Sequence, residues 1–235
     1  MPAFNEEAVL PRSLCEAMAA LDRLCDDWEL VVVDDGSTDT TAAVLSAAAR
    51  QEPRLRVLTQ ETNRGYATAL MRGFAACRRE VIFYTDADAQ FDLAELAVAY
   101  PLLAHADMVA GWRRDRQDPW LRKCLSSCFN WLQRSVLGTR ARDVDCAFKL
   151  FRRSFFDRVE LSSSGFLIDA ELYARAELAG LRVAQLPVKH RPRAAGRSSI
   201  RPGALWRCLL QLFLLARALR DERRCALTTV PRQAS

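Results

Sequence analysis

Val81-Ile82-Phe83-Tyr84-Thr85-Asp86-Ala87-Asp88-Ala89-Gln90 is the stretch that decides the fold. Its first five residues form a β-branched and aromatic run of strand length, and the run stops at acids instead of continuing with a helical period. The same design stands upstream. Trp28-Glu29-Leu30-Val31-Val32-Val33 ends at Asp34 and Asp35, and Gly36-Ser37-Thr38-Asp39 supplies turn and helix-cap residues. Helical stretches at 8–25, 40–50 and 66–77 and a short strand at 55–58 surround these runs. Strand, acidic turn and helix in repetition predict an α/β protein: a mostly parallel sheet flanked by helices, with the strands' carboxyl ends lining one crevice. The acids are therefore expected to converge.

Farther along, the pattern predicts helices at 93–103, 121–137 and 169–179, strands at 107–112 and 182–186, and a short apolar stretch at 147–151. A domain over 1–200 followed by an amphipathic helix and tail over 201–235 accommodates all of it. In the tail, Leu205, Leu209, Leu212, Phe213, Ala216 and Leu219 recur at helical spacing, bracketed by Arg207 and Arg217. Such a helix suits either a membrane interface or packing on the core. No stretch reaches the ~20 apolar residues of a membrane span.

The chain has 235 residues, half of them hydrophobic, and a formal net charge of +5. This describes a folded chain rather than a disordered one. The surplus charge lies in the second half, at Arg113, Arg114, Arg116, Arg122 and Lys123, and again at Lys189, Arg191, Arg193, Arg197 and Arg201. Segments of this kind suit phosphorylated partners or an anionic membrane surface. No nucleic-acid motif accompanies them, so no nucleic-acid partner is expected. The eight cysteines contain no C-x-x-C pair, and Cys124-x-x-x-Cys128 lacks companion histidines, which predicts reduced thiols. Met1-Pro2-Ala3-Phe4-Asn5-Glu6-Glu7 has neither the basic start nor the apolar run of a signal peptide. A cytoplasmic location, peripheral on the inner membrane face, is the expectation.

Two carboxylates spaced i and i+2 at a strand's end point to one side and can share a hard cation that also takes phosphate oxygens. Asp86 and Asp88 are thus the candidate metal pair for Mg²⁺ or Mn²⁺. Asp88 is the direct ligand, Asp86 contacts a ribose or a metal-bound water, and Gln90 assists. Read alone, the same residues are equally a solvated acidic turn. Asp34 and Asp35 face the same crevice and can accept hydrogen bonds from a base or ribose. Ser37 and Asp39 read as turn and cap chemistry. Arg113, after a strand, and Arg193, ahead of Gly196 and Ser198, can reach phosphate oxygens, though a solvated basic face is the plainer reading for their neighbours Arg114, Arg116 and Arg122. His190 reads as loop structure.

Pro2-Ala3-Phe4-Asn5-Glu6-Glu7, Val33-Asp34-Asp35-Gly36-Ser37-Thr38-Asp39, Asn63-Arg64-Gly65 and Asp86-Ala87-Asp88-Ala89-Gln90, in this order, resemble family 2 glycosyltransferases of the GT-A fold. Gly111-Trp112-Arg113, Asp145-Cys146-Ala147-Phe148-Lys149 and Arg193-x-x-Gly196-x-Ser198 look like the branch containing dolichyl-phosphate mannose synthase and bacterial polyprenyl-phosphate glycosyltransferases. The resemblance implies a nucleotide-diphosphate sugar donor and a polyprenyl phosphate acceptor. It implies a nucleotide wall of Pro2, Phe4, Glu6, Val33 and Asp35, and donor contacts at Asp86, Ala87, Gln90, Arg193 and Ser198. It also implies transfer with inversion, in which Asp88, Asp145 and Arg113 take part. The family's first strand is expected to be lacking, since Met1 stands where that strand ends, and Ser199 replaces a usual lysine.

The acceptor decides what the protein must supply. A phosphate monoester has a second pKa of ~6 and attacks without a general base, whereas a sugar hydroxyl needs a carboxylate, for which Asp145 and the Asp169-x-Glu171 pair are candidates. Asp145 serves equally to orient the acceptor or an arginine, and Glu171 to support a helix. A saccharide hydroxyl acceptor and a catalytically idle nucleotide-sugar binding module are the competing readings.

Overall fold

In the computed structural model, residues 1–114, 120–165, 167–192 and 204–229 are described. Two sheets carry the fold. In the first, β1 (Pro2–Ala3), β2 (Leu30–Asp34) and β3 (Leu55–Thr59) run parallel in the order β1-β2-β3, with Pro2 opposite Val33 and Leu30 opposite Leu55. Every residue of β2 is buried, which is why it reads as an unbroken apolar run: helices cover both faces of a parallel sheet. The helices in this half are α1 (Leu10–Leu24), α2 (Thr41–Gln51) and α3 (Tyr66–Ala76).

The second sheet contains β4 (Val81–Thr85), β5 (Met108–Arg114), β6 (Phe148–Arg152) and β7 (Val183–Lys189), in the order β4-β6-β5-β7. Parallel pairing predominates among the described strands, as expected, with one exception. β5 and β7 are parallel, but β6 runs antiparallel to both of its neighbours. The apolar stretch at 147–151 gave no direction, because burial on both faces looks alike in either orientation.

The helix expected at 93–103 is broken. A 3-10 turn at Leu93–Glu95 leads into a short α4 (Leu96–Ala99) and a second 3-10 turn at Tyr100–Ala104. Pro101 lacks the amide hydrogen that a continuing α-helix would use. The remaining helices are α5 (Trp120–Leu137), α6 (Leu167–Leu178) and α7 (Ala204–Thr229). α7 packs on α5 and α6 and buries Leu212, Leu215, Ala216 and Leu219, while Leu210, Phe213 and Leu214 remain exposed.

The end of the first strand is present as β1. Val33 N donates to Met1 O at 2.9 Å, and the Met1 ammonium donates to Val31 O at 2.9 Å. β1 and β4 are the facing edges of the two sheets. Between them lies a largely apolar slot with a cavity of about 90 Å³, lined by Met1, Leu30, Leu70, Phe74, Ile82 and Tyr84 among others.

Candidate active site

Asp35 follows directly on β2 and organises the first acidic turn. Its Oδ1 accepts from Gln60 Nε2 at 2.6 Å and Arg64 N at 2.8 Å, and its Oδ2 accepts from Gly65 N at 2.9 Å. Gly36 has φ 72°, and a Cβ there would stand 2.6 Å from the carbonyl carbon of Thr62. Only glycine combines that backbone with so close an approach. The motif Asn63-Arg64-Gly65 thereby gains a physical role, as the loop that seats on Asp35 and Gly36. Asp34 Oδ1 instead accepts from Ser37 N at 3.0 Å, within its own turn.

The opening loop is fastened to the same turn. Thr38 N donates to Asn5 Oδ1 at 2.8 Å, Asn5 N to Ser37 Oγ at 3.0 Å, and Thr40 N to Glu7 Oε2 at 2.8 Å. Asp39 accepts from Thr41 N at 2.9 Å and Glu7 N at 3.3 Å. Ser37 and Asp39 are turn residues, as the sequence indicated. Asn5 takes φ 55°, a conformation asparagine tolerates better than most residues. Glu6 N donates to Thr41 Oγ1, and its carbonyl accepts the first amides of α1. Phe4 is 38% exposed on this loop; Pro2 and Val33 pair beneath it.

The second acidic turn follows β4. Tyr66 Oη donates to Asp86 Oδ1 at 3.0 Å. Tyr66 is the residue after Gly65, so two consecutive residues tie Asp35 to Asp86, and the expected convergence of the acids is a bonded fact. Ser13 Oγ on α1 donates to Ala87 O at 2.6 Å, and Gln90 N donates to Asp88 Oδ1 at 3.1 Å. Ala89 sits at φ 56°, left-handed backbone that costs a non-glycine residue roughly 1 kcal/mol. Loss of water around Asp86, reinforced by the neighbouring Asp88 charge, pushes its carboxyl up to about 7.

Gln90, expected to assist at a metal, is engaged elsewhere. Its Nε2 donates to Arg191 O at 3.0 Å and its carbonyl accepts from Arg191 N at 2.7 Å, so it fastens the segment after β7 to this turn. Arg191 also pairs with Glu16 and Asp92. His190 bridges to Phe91 and packs edge-on against its ring, as loop structure. Arg116, Arg193, Gly196, Arg197, Ser198 and Ser199 lie outside the described residues.

The donor set at Asp86 and Asp88 fits a hard divalent cation. No group of three or more His, Cys, Asp or Glu converges among the described residues. Two carboxylates, with other positions left to phosphate oxygens and water, are what Mg²⁺ and similar ions take at phosphate-binding sites.

The second half brings a different set of acids. Arg113 does not extend toward the crevice as an uncommitted cation. Its Nε and Nη2 each lie 2.7 Å from the Asp143 carboxylate, and its backbone N donates to the same group. That bidentate pair fixes the segment carrying Asp145. Asp145 accepts from Gln133 Nε2 at 3.1 Å and Asn130 Nδ2 at 3.4 Å, and burial pushes it up to about 6. Glu171 is fully buried and accepts from Ser162, Ser163 and Arg175. It is the structural partner of a helix, not a base. Lys149, which the sequence offered only as the end of the Asp145–Lys149 motif and without a role, is fully buried and donates to Asp169 Oδ1 at 2.5 Å. An apolar strand carrying one lysine was the signal available.

The family model described as glycosyl transferase family 2 matches residues 1–160. This chain belongs to that family. Among its family 2 relatives, the undecaprenyl-phosphate 4-deoxy-4-formamido-L-arabinose transferase of Aeromonas hydrophila is 33% identical over 207 residues, covering 84% of this chain and 60% of that protein. The dodecaprenyl-phosphate galacturonate synthase of Rhizobium johnstonii is 29% identical over 221 residues, covering 91% of this chain and 64% of that protein. The chain thus spans about 60% of the length of the curated relatives it matches. Among solved structures, glucosyl-3-phosphoglycerate synthase from Mycobacterium tuberculosis in complex with Mn²⁺ and UDP-glucose superposes with a TM-score of 0.69 at 22% identity, over 92% of this chain and 76% of that one. The fold is accordingly GT-A. No helix among the described residues of this family 2 chain is long and apolar enough to cross a membrane.

Proposed function

We propose that the protein transfers a sugar, with inversion, from a nucleotide-diphosphate donor to a polyprenyl phosphate at the cytoplasmic membrane face. The observation that supports this reading is the joining of the two acidic turns through Gly65 and Tyr66, which brings Asp35 and the Asp86 carboxylate to one crevice. Pro2, Phe4, Glu6, Val33 and Asp35 form the wall for base and ribose. Asp86 and Asp88 would hold a Mg²⁺ or Mn²⁺ ion. When bound, that ion offsets the negative charge that grows on the departing diphosphate.

The acceptor phosphate oxygen forms a bond to the anomeric carbon while the bond to the diphosphate breaks, and the electron pair leaves with the nucleoside diphosphate. Because the phosphate is already ionised, no side chain has to remove a proton. Arg113, through Asp143, positions the Asp145 segment beside the acceptor, and Arg193 and Ser198 supply phosphate contacts. The relatives' names support a polyprenyl phosphate acceptor, and the Mn²⁺ complex of the neighbouring fold supports a divalent ion.

The outer surface supports peripheral membrane contact. α5 and α7 pack together, and between them expose Trp120, Trp131, Leu210, Phe213 and Leu214. Arg217, Arg220, Arg223 and Arg224 follow on α7. Asp221 and Glu222 stand among them, with Glu222 paired to Arg175, and apolar side chains beside a net basic segment fit an anionic bilayer surface.

One observation favours a second reading. A carboxyl held near 6, as at Asp145, is suited to take a proton from a sugar hydroxyl at neutral pH. Mass spectrometry of products formed from a panel of nucleotide sugars, with undecaprenyl phosphate or a soluble saccharide, separates the two. A glycosyl phospholipid is expected. A lipid-free glycoside as the sole product defeats the first reading, and nucleotide binding without any product points to a binding module.

A further inference from the structure

Behind Asp86 runs a file of buried polar side chains that no step above uses. Tyr66 Oη contacts Asp86 Oδ1 at 3.0 Å and the hydroxyl of Tyr84 on its other side. Tyr84 Oη lies 3.2 and 3.3 Å from the two oxygens of Asp169. Asp169 receives Lys149 Nζ at 2.5 Å, and the same ammonium donates to Cys146 O at 2.6 Å and Val144 O at 3.1 Å. Lys149, Tyr84 and Asp169 are at most 3% exposed. The file therefore joins α3, β4, β6 and α6.

The contacts run through the file in one chain. Tyr66 Oη donates to Asp86, Tyr84 Oη donates to Asp169, and the two hydroxyls touch. Lys149 closes the far end, its ammonium donating to Asp169 and to two carbonyls. Each oxygen in the file is thus held by a neighbour that is itself held.

The chemistry of the end group matters. An arginine beside Asp86 would hold the carboxylate equally still, but would cancel the charge that a cation needs. A hydroxyl fixes one oxygen and leaves the charge in place. The file's formal positive charge stays at Lys149, two hydroxyls and one carboxylate away.

We propose that Tyr66 and Tyr84, anchored by Asp169 and Lys149, are positioning residues that hold Asp86 Oδ1 and so leave the carboxylate's other oxygen for a metal. This rests on the metal reading of Asp86 and Asp88, so the test separates the two. The full chain and its Asp88→Ala, Tyr66→Phe and Tyr84→Phe variants are titrated with Mn²⁺ alone, following unbound Mn²⁺ by electron paramagnetic resonance, and melting temperatures are recorded in parallel. Asp88→Ala is expected to lose binding. Tyr66→Phe is expected to weaken it about 10-fold and Tyr84→Phe by a smaller factor. The Mn²⁺ concentration for half-maximal transfer should rise in the same order, beyond anything the change in melting temperature accounts for.

Loss of binding in Asp88→Ala together with unaltered Mn²⁺ affinity in both tyrosine variants overturns the proposal while leaving the metal reading intact. Undiminished binding in Asp88→Ala, or none in the unaltered chain, overturns the metal reading and the proposal with it. Lys149 is left unchanged because a substitution at so buried a cation endangers folding.

Discussion

The turn after β4 and the segment between α5 and β6 each hold a partly or wholly buried aspartate, and each holds it differently. Asp143 faces the guanidinium of Arg113 in a two-pronged pair. Asp86 faces the hydroxyl of a tyrosine. In the first region charge is cancelled locally, and a bidentate ion pair fixes a loop. In the second, the described hydrogen bond comes from a neutral hydroxyl that offsets no charge, and burial together with the Asp88 charge pushes the carboxyl up to about 7. Of these two acids, the one whose described hydrogen bonds include no cation is the one proposed above as a metal ligand.

The largest effect that tests this contrast is on stability. Asp143→Ala leaves Arg113, whose side chain is 13% exposed, without its bidentate partner, at a cost of about 3–5 kcal/mol in urea denaturation. Asp86→Asn should hold or raise stability at pH 8, because it removes a buried charge that only a hydroxyl supports. Equal destabilisation by the two changes would erase the distinction.

A smaller effect sharpens it with pH. Asp145, like Asp86, has neutral partners, and burial lifts it to about 6 from ~3.9 in an unfolded chain. A carboxyl whose folded pKa is raised contributes stability that is present in full below pH ~4 and is lost as pH climbs through about 6. Asp145→Asn should therefore gain on the unaltered protein between pH 4 and 7, by on the order of 2 kcal/mol. A difference independent of pH would show that Asp145 titrates normally.

The smallest stability effect belongs to the outer surface. Replacing Phe213 and Leu214 with serine should change stability by less than about 0.5 kcal/mol each, yet lower co-flotation with vesicles containing phosphatidylglycerol. Unchanged flotation would remove the support that α7 gives to membrane contact.

What was legible in the sequence follows the range of the interaction. Strands β2 and β4 announced themselves because burial on both faces requires an unbroken apolar run, and the acids ending them were visible in the same stretch. Gly36 and Asn63-Arg64-Gly65 were visible as motifs, but their fit to each other was not. The partnership of Arg113 with Asp143 and the file from Lys149 to Asp86 were hidden because their members lie 18 to 85 positions apart. Local pattern carries no record of which buried acid meets which cation. The antiparallel entry of β6 was hidden for a related reason: a fully buried strand shows the same composition in either direction.

The slot between β1 and β4 gives the molecule a seam. On either side of it the backbone is knit by ladders, but across it lie side-chain packing and contacts such as that of Tyr66, on α3, with Tyr84, on β4. Warming is expected to find this line before it finds either ladder. Amides of Phe83 and Thr85, on the slot side of β4, should therefore exchange with deuterium earlier than those of Ile82 and Tyr84, which the ladder with β6 holds, and parting along the line would draw Asp35 away from Asp86, dismantling the crevice before either sheet melts.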